Sequence, residues 1–182
     1  MNPVAFTAKS SSGILKVLQT QVAIHKPNER THIVINAIWD TGATGSAITK
    51  NAVAKLGLAQ TGLSMVSTAN GDVLQKTYTI DIGLPNGVIV QGIVATEVDA
   101  LSGGCDALIG MDIITLGDFS ITNHNGVTCF SFRIPSSHEI DYVKSPDFGM
   151  VKVSSPQSKN MYPNDPCFCK SGKKYKDCHG RR

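Results

Sequence analysis

The sequence contains no long apolar run. Its best stretch, Val88–Ala95, is broken by Gln91 and Gly92, whereas a membrane-spanning helix needs about 20 apolar residues. Charge is modest at 17% of residues against 41% apolar, with a mean hydropathy of −0.02. That balance is globular and excludes wholesale disorder, collagen and coiled coil. The opening residues MNPVAFTAKSSSGILK lack a charged n-region followed by an apolar h-region, so no secretory signal is expected and the predicted compartment is the cytoplasm.

What charge there is lies unevenly. Residues 1–135 carry 8 basic and 9 acidic side chains, while residues 136–182 carry 9 and 5. A near-neutral body with a basic tail argues against nucleic-acid binding by the body. Five cysteines is an odd number, and Cys167, Cys169 and Cys178 crowd into the last 16 residues. Without a signal peptide, such clustering points to a metal site before a disulfide framework.

Asn-Gly occurs at Asn70-Gly71, Asn86-Gly87 and Asn125-Gly126, each between segments rich in Val, Ile, Thr and aromatics. This dipeptide suits the positive φ angles of a hairpin turn, so three copies predict a mostly antiparallel β domain. Strands are predicted at Leu15–Ile24, Thr31–Ile38, Val73–Ile82, Val88–Val98 and Val127–Ile134. Helical spacing is confined to Ile48–Leu58, with Gly57 near its end, and Met111–Leu116. After Pro135 periodicity is lost. Residues 136–163 hold three prolines and six serines, predicting a linker with a short strand near Met150–Val153. The expected organisation is a folded domain over 1–135, a linker over 136–162 and a small stapled module over 163–182.

The most informative segment is Ile33–Ser46, in which an apolar strand delivers Asp40 into the turn Thr41-Gly42-Ala43 ahead of a helix. Asp-Thr-Gly alone is common in strand-ending turns. About 70 residues on, however, Ala107-Leu-Ile-Gly-Met-Asp-Ile-Ile114 follows a hairpin-rich stretch. Together these features, with a candidate hairpin at Met65–Ile80, make residues 15–134 resemble the retropepsin-like (retroviral-type) aspartic proteases. The resemblance implies a mostly β, closed acid-protease barrel and peptide hydrolysis. It also implies a catalytic turn of Asp40, Thr41 and Gly42, with Ala43 and the flap-tip residues Asn70 and Gly71 contacting substrate. Thr41 would buttress the turn in a dimer, and Gly42 would leave room for close backbone approach.

Carboxylate-catalysed peptide hydrolysis needs two carboxyls sharing one proton, one acting as base on water and the other as acid on the carbonyl oxygen. The chain holds one Asp-Thr/Ser-Gly, so the second Asp40 is expected from another copy across a twofold axis. The single flap glycine predicts a stiffer closure than in glycine-richer relatives. Trp39 reads as a packing residue, Asp112 as a charge at a helix start rather than a second catalytic acid, and Cys105 and Cys129 as small buried hydrophobes.

The tail runs Asn164-Asp-Pro-Cys167-Phe-Cys169, then Gly172-Lys-Lys-Tyr175, then Cys178-His179. Cys167, Cys169, Cys178 and His179 form a four-donor set suited to closed, tetrahedral, structural zinc. Neighbouring lysines favour the thiolate forms. This segment closely resembles the SEC-C motif of the preprotein-translocase ATPase. The resemblance implies a recruitment role towards a chaperone, the ribosome or another protein. Three functions are therefore weighed: a homodimeric aspartic endopeptidase with zinc tails, a non-cleaving peptide-binding adaptor on the same fold, and nucleic-acid binding by the tail. The intact Asp40-Thr41-Gly42 favours the enzyme, and so few phosphate contacts would bind nucleic acid weakly.

Overall fold

The computed structural model describes residues 3–68, 71–144, 162–167 and 172–178. The chain forms two compact units, Met1–Glu139 and Ile140–Arg182. The first extends past residue 135 because Asp118 accepts hydrogen bonds from the Ser136 hydroxyl at 2.6 Å and the Ser137 N–H at 2.9 Å. Arg133 also meets His138 at 2.7 Å.

Unit 1 is mostly β. Its strands are β1 (Val4–Lys9), β2 (Gln19–His25), β3 (His32–Trp39), β4 (Ala47–Thr49), β5 (Gly62–Thr68), β6 (Gly71–Gly83), β7 (Ile89–Val98), β8 (Ala107–Ile109), β9 (Asp118–Thr122) and β10 (Cys129–Ile134). The helices are α1 (Lys50–Leu56) and α2 (Met111–Ile114). β2 pairs with β3, β3 with β8, β8 with β4, β4 with β7, β7 with β6, and β6 returns to β2. That ring closes the sheet into a barrel, which removes its open edges. Only β3–β8 and β4–β7 run parallel among these pairings. β5 hangs outside the ring, paired to β6 alone as a projecting hairpin.

A second sheet, in the order β1-β10-β9, packs beside the barrel end of β3. Trp39 joins the two. Its ring lies 5.1–5.2 Å from Phe132 and Phe130, 5.7 Å from Phe6 and 6.0 Å from Phe119. Phe130 and Phe132 are fully buried, each worth about 1.5–3 kcal/mol of apolar transfer. The Trp39 Nε1–H donates to Thr20 Oγ1 at 2.9 Å, satisfying its polar edge as a buried tryptophan requires. Trp39 is a packing residue, as its sequence context suggests.

The turns show how far the Asn-Gly signal reaches. At Asn125-Gly126, between β9 and β10, both residues have positive φ (54° and 73°). At Asn86-Gly87 only the glycine does, at 81°. Asn70 lies outside the described residues, and Gly71 opens β6 opposite Thr68. α1 starts later than periodicity predicts, because Ile48 belongs to β4 and Thr49 caps the helix by accepting from Ala52 N–H at 3.3 Å. Gly57 ends it in the left-handed conformation, φ 62°. The expected strand over Leu15–Ile24 begins only at Gln19, since Leu15–Leu18 form a connection between the two sheets. Cys105 is buried, whereas Cys129 is half-buried on β10, a correction to the expectation that both are core residues. The strand expected near Met150–Val153 lies outside the described residues.

Candidate active site

Asp40 follows β3, whose alternation buries Ile35, Ala37 and Trp39 on one face. Its backbone N–H donates to Ile109 C=O at 2.9 Å, continuing the β3–β8 ladder one step past the strand. The Asp40 carboxylate accepts the Gly42 N–H at Oδ1, 2.8 Å, and its C=O accepts the Ala43 N–H at 3.3 Å. A Cβ on residue 42 would sit 3.1 Å from Asp40 Oδ1, so glycine there lets the turn close on the carboxylate. Asp40 is half-buried, and Thr41 and Gly42 are exposed beside it.

A second loop locks this turn. Met111 N–H donates to Ala43 C=O at 2.8 Å and Asp112 N–H to Thr44 C=O at 3.2 Å. Ser46 gives its N–H and hydroxyl to the Asp112 carboxylate, which also accepts the Ile113 N–H at 3.0 Å. Gly110 N–H reaches Ser46 Oγ at 3.2 Å. A Cβ on Gly110 would lie 2.5 Å from the Gly45 backbone, so the two loops approach closer than any side chain would allow. Asp112 is thus a brace with its oxygens engaged. It sits within the first turn of α2, in line with its reading as a helix-start charge, and its tie to Ser46 could not be foreseen.

Further support comes from the β4–α1 junction. Asp106 accepts from Thr49 Oγ1 at 2.6 Å and from Asn51 Nδ2 at 3.2 Å, with Lys55 at 3.8 Å. The Thr49 hydroxyl foremost, helped by Asn51 and Lys55, holds the Asp106 carboxyl below its ordinary range despite burial. Nearby, burial first and Asp106 second push the Cys105 thiol up. Such a thiol is a poor nucleophile.

Asp40, Thr41, Gly42 and Ala43 therefore share one rigid turn. The Ala43 N–H is engaged by Asp40 C=O within the turn and its C=O by Met111 N–H from the second loop, and its side chain is half-buried. Gly71 stands on a different element, the β5–β6 hairpin, with φ 109°. Along that hairpin Leu63, Met65 and Leu74 are 57–62% exposed, an apolar strip suited to covering a bound chain.

The aspartyl protease family model matches residues 24–113, and the SEC-C motif model matches residues 164–181. The chain carries an aspartyl protease domain followed by a SEC-C motif. Similar solved structures include a retropepsin-like aspartic protease from Rickettsia conorii, 16% identical over 73% of this chain and 96% of that one, with a TM-score of 0.44. Another is the EIAV protease complexed with the inhibitor HBY-793, at 19% identity over 58% and 91% of the two chains and a TM-score of 0.45. The segment 24–113 spans Asp40, the β5–β6 hairpin and the Gly110 loop, and leaves β1, β9 and β10 outside.

In the second unit, Cys167 N–H donates to Lys173 C=O at 2.8 Å, Pro166 bridges Lys174, and Tyr175 N–H reaches Asp165 C=O at 2.8 Å. A short 3-10 turn, Tyr175–Asp177, then delivers Cys178. Cys167 is buried and Cys178 half-buried. Cys169 and His179 lie outside the described residues. Among the described residues no group of three or more potential metal ligands is assembled, and no helix is long and apolar enough to cross a membrane.

Proposed function

We propose that the chain is a homodimeric aspartic endopeptidase in which the two Asp40 carboxylates, one from each copy, share a proton and activate water. The observation that carries this reading is a single Asp-Thr-Gly turn whose aspartate is fixed by Gly42 N–H and by the Ile109 ladder bond, with Thr41 and Gly42 exposed beside it. Two carboxyls within hydrogen-bond reach cannot both ionise, so one is base and the other acid. The base takes a proton from water as its oxygen adds to the peptide carbonyl carbon, and the acid protonates the carbonyl oxygen. Collapse of the resulting diol sends a proton to the amide nitrogen and breaks the C–N bond, restoring the one-proton dyad. Peptide binding without cutting gives no reason for this brace around an aspartate, which sets the adaptor reading behind the enzyme.

For the tail, the reading is a structural zinc held by Cys167, Cys169, Cys178 and His179, with recruitment of a protein partner such as a chaperone or the ribosome. Cys167 is hydrogen-bonded to Lys173 beside the Pro166–Lys174 bridge, and Cys178 follows the turn Tyr175–Asp177; with Lys173, Lys174 and Lys176 near in sequence, this donor chemistry fits a closed zinc site. The zinc would act on the fold of the tail and take no part in peptide cleavage. The cytoplasm remains the proposed compartment.

The test is cleavage of an unstructured protein such as casein between pH 4 and 7 by wild type and Asp40→Asn. Loss of several orders of magnitude in the variant is expected, with fold retained. Equal cleavage by both proteins refutes the assignment.

A further inference from the structure

The β2–β3 ladder ends on a pair of histidines. His25 and His32 stand directly opposite one another, the last pair before the connecting turn. Val22 and Ile24 on β2 are buried, as are Ile35 and Ala37 on β3. Alternation therefore places both histidines together on the outer face of the barrel. Their ring centroids are 4.8 Å apart with the planes 31° from parallel. His25 is half-buried and His32 exposed. Gly83, paired with Ala23, leaves room for the inner ring, since a Cβ there would sit 3.5 Å from His25 Nε2.

The ring nitrogens have lone pairs to offer. His32 Nδ1 lies 3.2 Å from Arg30 C=O. A carbonyl only accepts, so Nδ1 carries the proton and Nε2 of the neutral ring keeps its lone pair. One ring nitrogen tied to a backbone carbonyl is how metal-binding histidines fix their orientation. Neither ring nitrogen of His25 is hydrogen-bonded among the described residues. We propose that His25 and His32 form a two-imidazole site for a divalent transition-metal ion such as zinc. Metal–nitrogen bonds of about 2.0–2.1 Å put each ring centroid about 3.2 Å from a shared ion, and hence the centroids about 4.5 Å apart at a right angle or about 5.2 Å at the tetrahedral angle. The observed 4.8 Å falls between these. Imidazoles select such ions over magnesium and calcium, which take oxygen ligands. Among the described residues no third protein ligand joins the pair, so water completes the shell and the site is weaker than a four-donor one. The Asp81 carboxylate, opposite His25 on β6, favours a cation from one strand away.

The site is remote from the Asp40 turn. His32 opens β3 and Asp40 follows its end, so eight residues at about 3.3 Å each separate them by about 26 Å. An ion held there touches no reacting group. It ties β2 to β3 beside the turn, where Ala23–His25 also carry the pairing on to β6 and so close the barrel. An ion bound by the folded chain alone stabilises it by mass action. Zinc should therefore raise the melting temperature of the first unit and leave small-peptide cleavage unchanged. The pair shares no residue with the cysteine-rich tail, and the inference stands apart from both readings given above.

The test uses the full-length protein with His25→Gln and His32→Gln, and His124→Gln from the β9–β10 connection as control. Zinc chloride is titrated while nuclear magnetic resonance follows the ring protons of the five histidines. The His25 and His32 signals, identified by their loss in the variants, should shift together with one dissociation constant. Losing an outer partner alone costs a metal site about 10–100-fold in affinity, so losing a ligand should weaken this site by about tenfold or more. Equilibrium dialysis should then find one zinc per chain fewer in either variant than in wild type. Melting temperatures without zinc should stay close to wild type, and the zinc-dependent rise should disappear. His124→Gln should behave as wild type throughout. Rings of His25 and His32 that do not respond to zinc, or one that responds without the other, overturn the proposal and leave the pair as packed imidazoles. Variants that bind as much zinc as wild type overturn it too. The zinc count is a difference between chains with the same tail, so a tail that holds no metal lowers every chain alike and leaves that difference standing.

Discussion

Ser46 donates its backbone N–H and its hydroxyl to the carboxylate of Asp112, at 2.9 and 2.8 Å, across 66 residues of sequence. That pair fastens the turn carrying Asp40 to the loop carrying Gly110. Asp112→Ala leaves both Ser46 groups, on a residue only 1% exposed, without their acceptor. A loss of about 2–4 kcal/mol is expected from two orphaned buried donors, read as a lower denaturation midpoint. Asp112→Asn keeps the shape and should lose less. A variant as stable as wild type would show that the brace is not structural.

Gly110→Ala tests the same junction from the other loop. The added methyl would meet the Gly45 carbonyl at 2.5 Å, a backbone group with no rotamer by which to retreat. Destabilisation of about 1–3 kcal/mol is expected from such overpacking. Activity should fall with it, because Ala43 and Asp40 shift when Gly45 does. Gly87→Ala has open space around it, although its φ of 81° adds backbone strain. It should leave cleavage unchanged in the folded fraction.

How much of this was legible beforehand differs by element. Asp40 and the Gly110 loop were visible because each pairs an apolar strand with a turn residue that chemistry or sterics demands. The barrel strands β3 and β7 announce themselves by β-branched residues between turn signals. β4 and β8 do not: three residues each, they carry too short a pattern to show a period. β1 was missed because VAFTAK is only weakly alternating and gains its place by pairing β10 at the far end of the domain. Asp112 looked like a local helix charge since nothing in sequence reveals a partner 66 residues away. The extent of the domain past Pro135 depends on Ser136 and Ser137 reaching Asp118, and no serine-rich stretch advertises such contacts.

Acid stability should depend on Asp118 and Asp106. Ser136 chiefly, then Arg133 and the Ser137 N–H, hold the Asp118 carboxyl far below the ordinary carboxylate range. Asp106 is lowered for the reasons given above. Depressed folded pKa values mean that this stabilisation is complete above the unfolded value near 4 and is lost as pH falls towards the folded values. Melting temperatures should thus hold from pH 7 to about 5 and drop below about 4. Asp118→Asn should flatten that acid limb. An unchanged pH slope in the variant would remove Asp118 from the account.

At the alkaline end, Tyr78 donates its hydroxyl to buried Glu97 at 2.7 Å. That bond foremost, then burial, raises its pKa to about 12. Its contribution to stability is complete below the free tyrosine value near 10 and disappears as pH rises through about 12. Ultraviolet titration of the phenolates should show one late-ionising tyrosine among the four in the chain. Tyr78→Phe should remove that late step and destabilise the domain, since Glu97 loses its buried donor. Four tyrosines titrating together near pH 10 would contradict the buried pair.

Metal removal should separate the two ends of the chain. One zinc per chain is expected at Cys167, Cys169, Cys178 and His179, contributing on the order of 10 kcal/mol of apparent folding energy to a segment too small to have a core. A chelator should therefore unfold the tail in an all-or-none manner, seen as loss of amide protection around Cys167 and Tyr175. The Asp40 turn takes its bonds from Gly42, Ile109 and Ser46–Asp112, all within the first unit, so cleavage of small peptides should persist. Truncation should preserve that activity when placed after Glu139. Placed after Pro135 it removes Ser136 and Ser137 from Asp118 and should lower the melting temperature, most clearly above about pH 5, where the carboxyl is ionised in the unfolded chain as well and its stabilising bonds count in full. Peptide cleavage and melting curves for the full-length protein, the chelated protein and the two truncations decide the matter. If chelation stops cleavage while the dimer survives, the metal belongs to the catalytic site and the division of labour between the units is wrong.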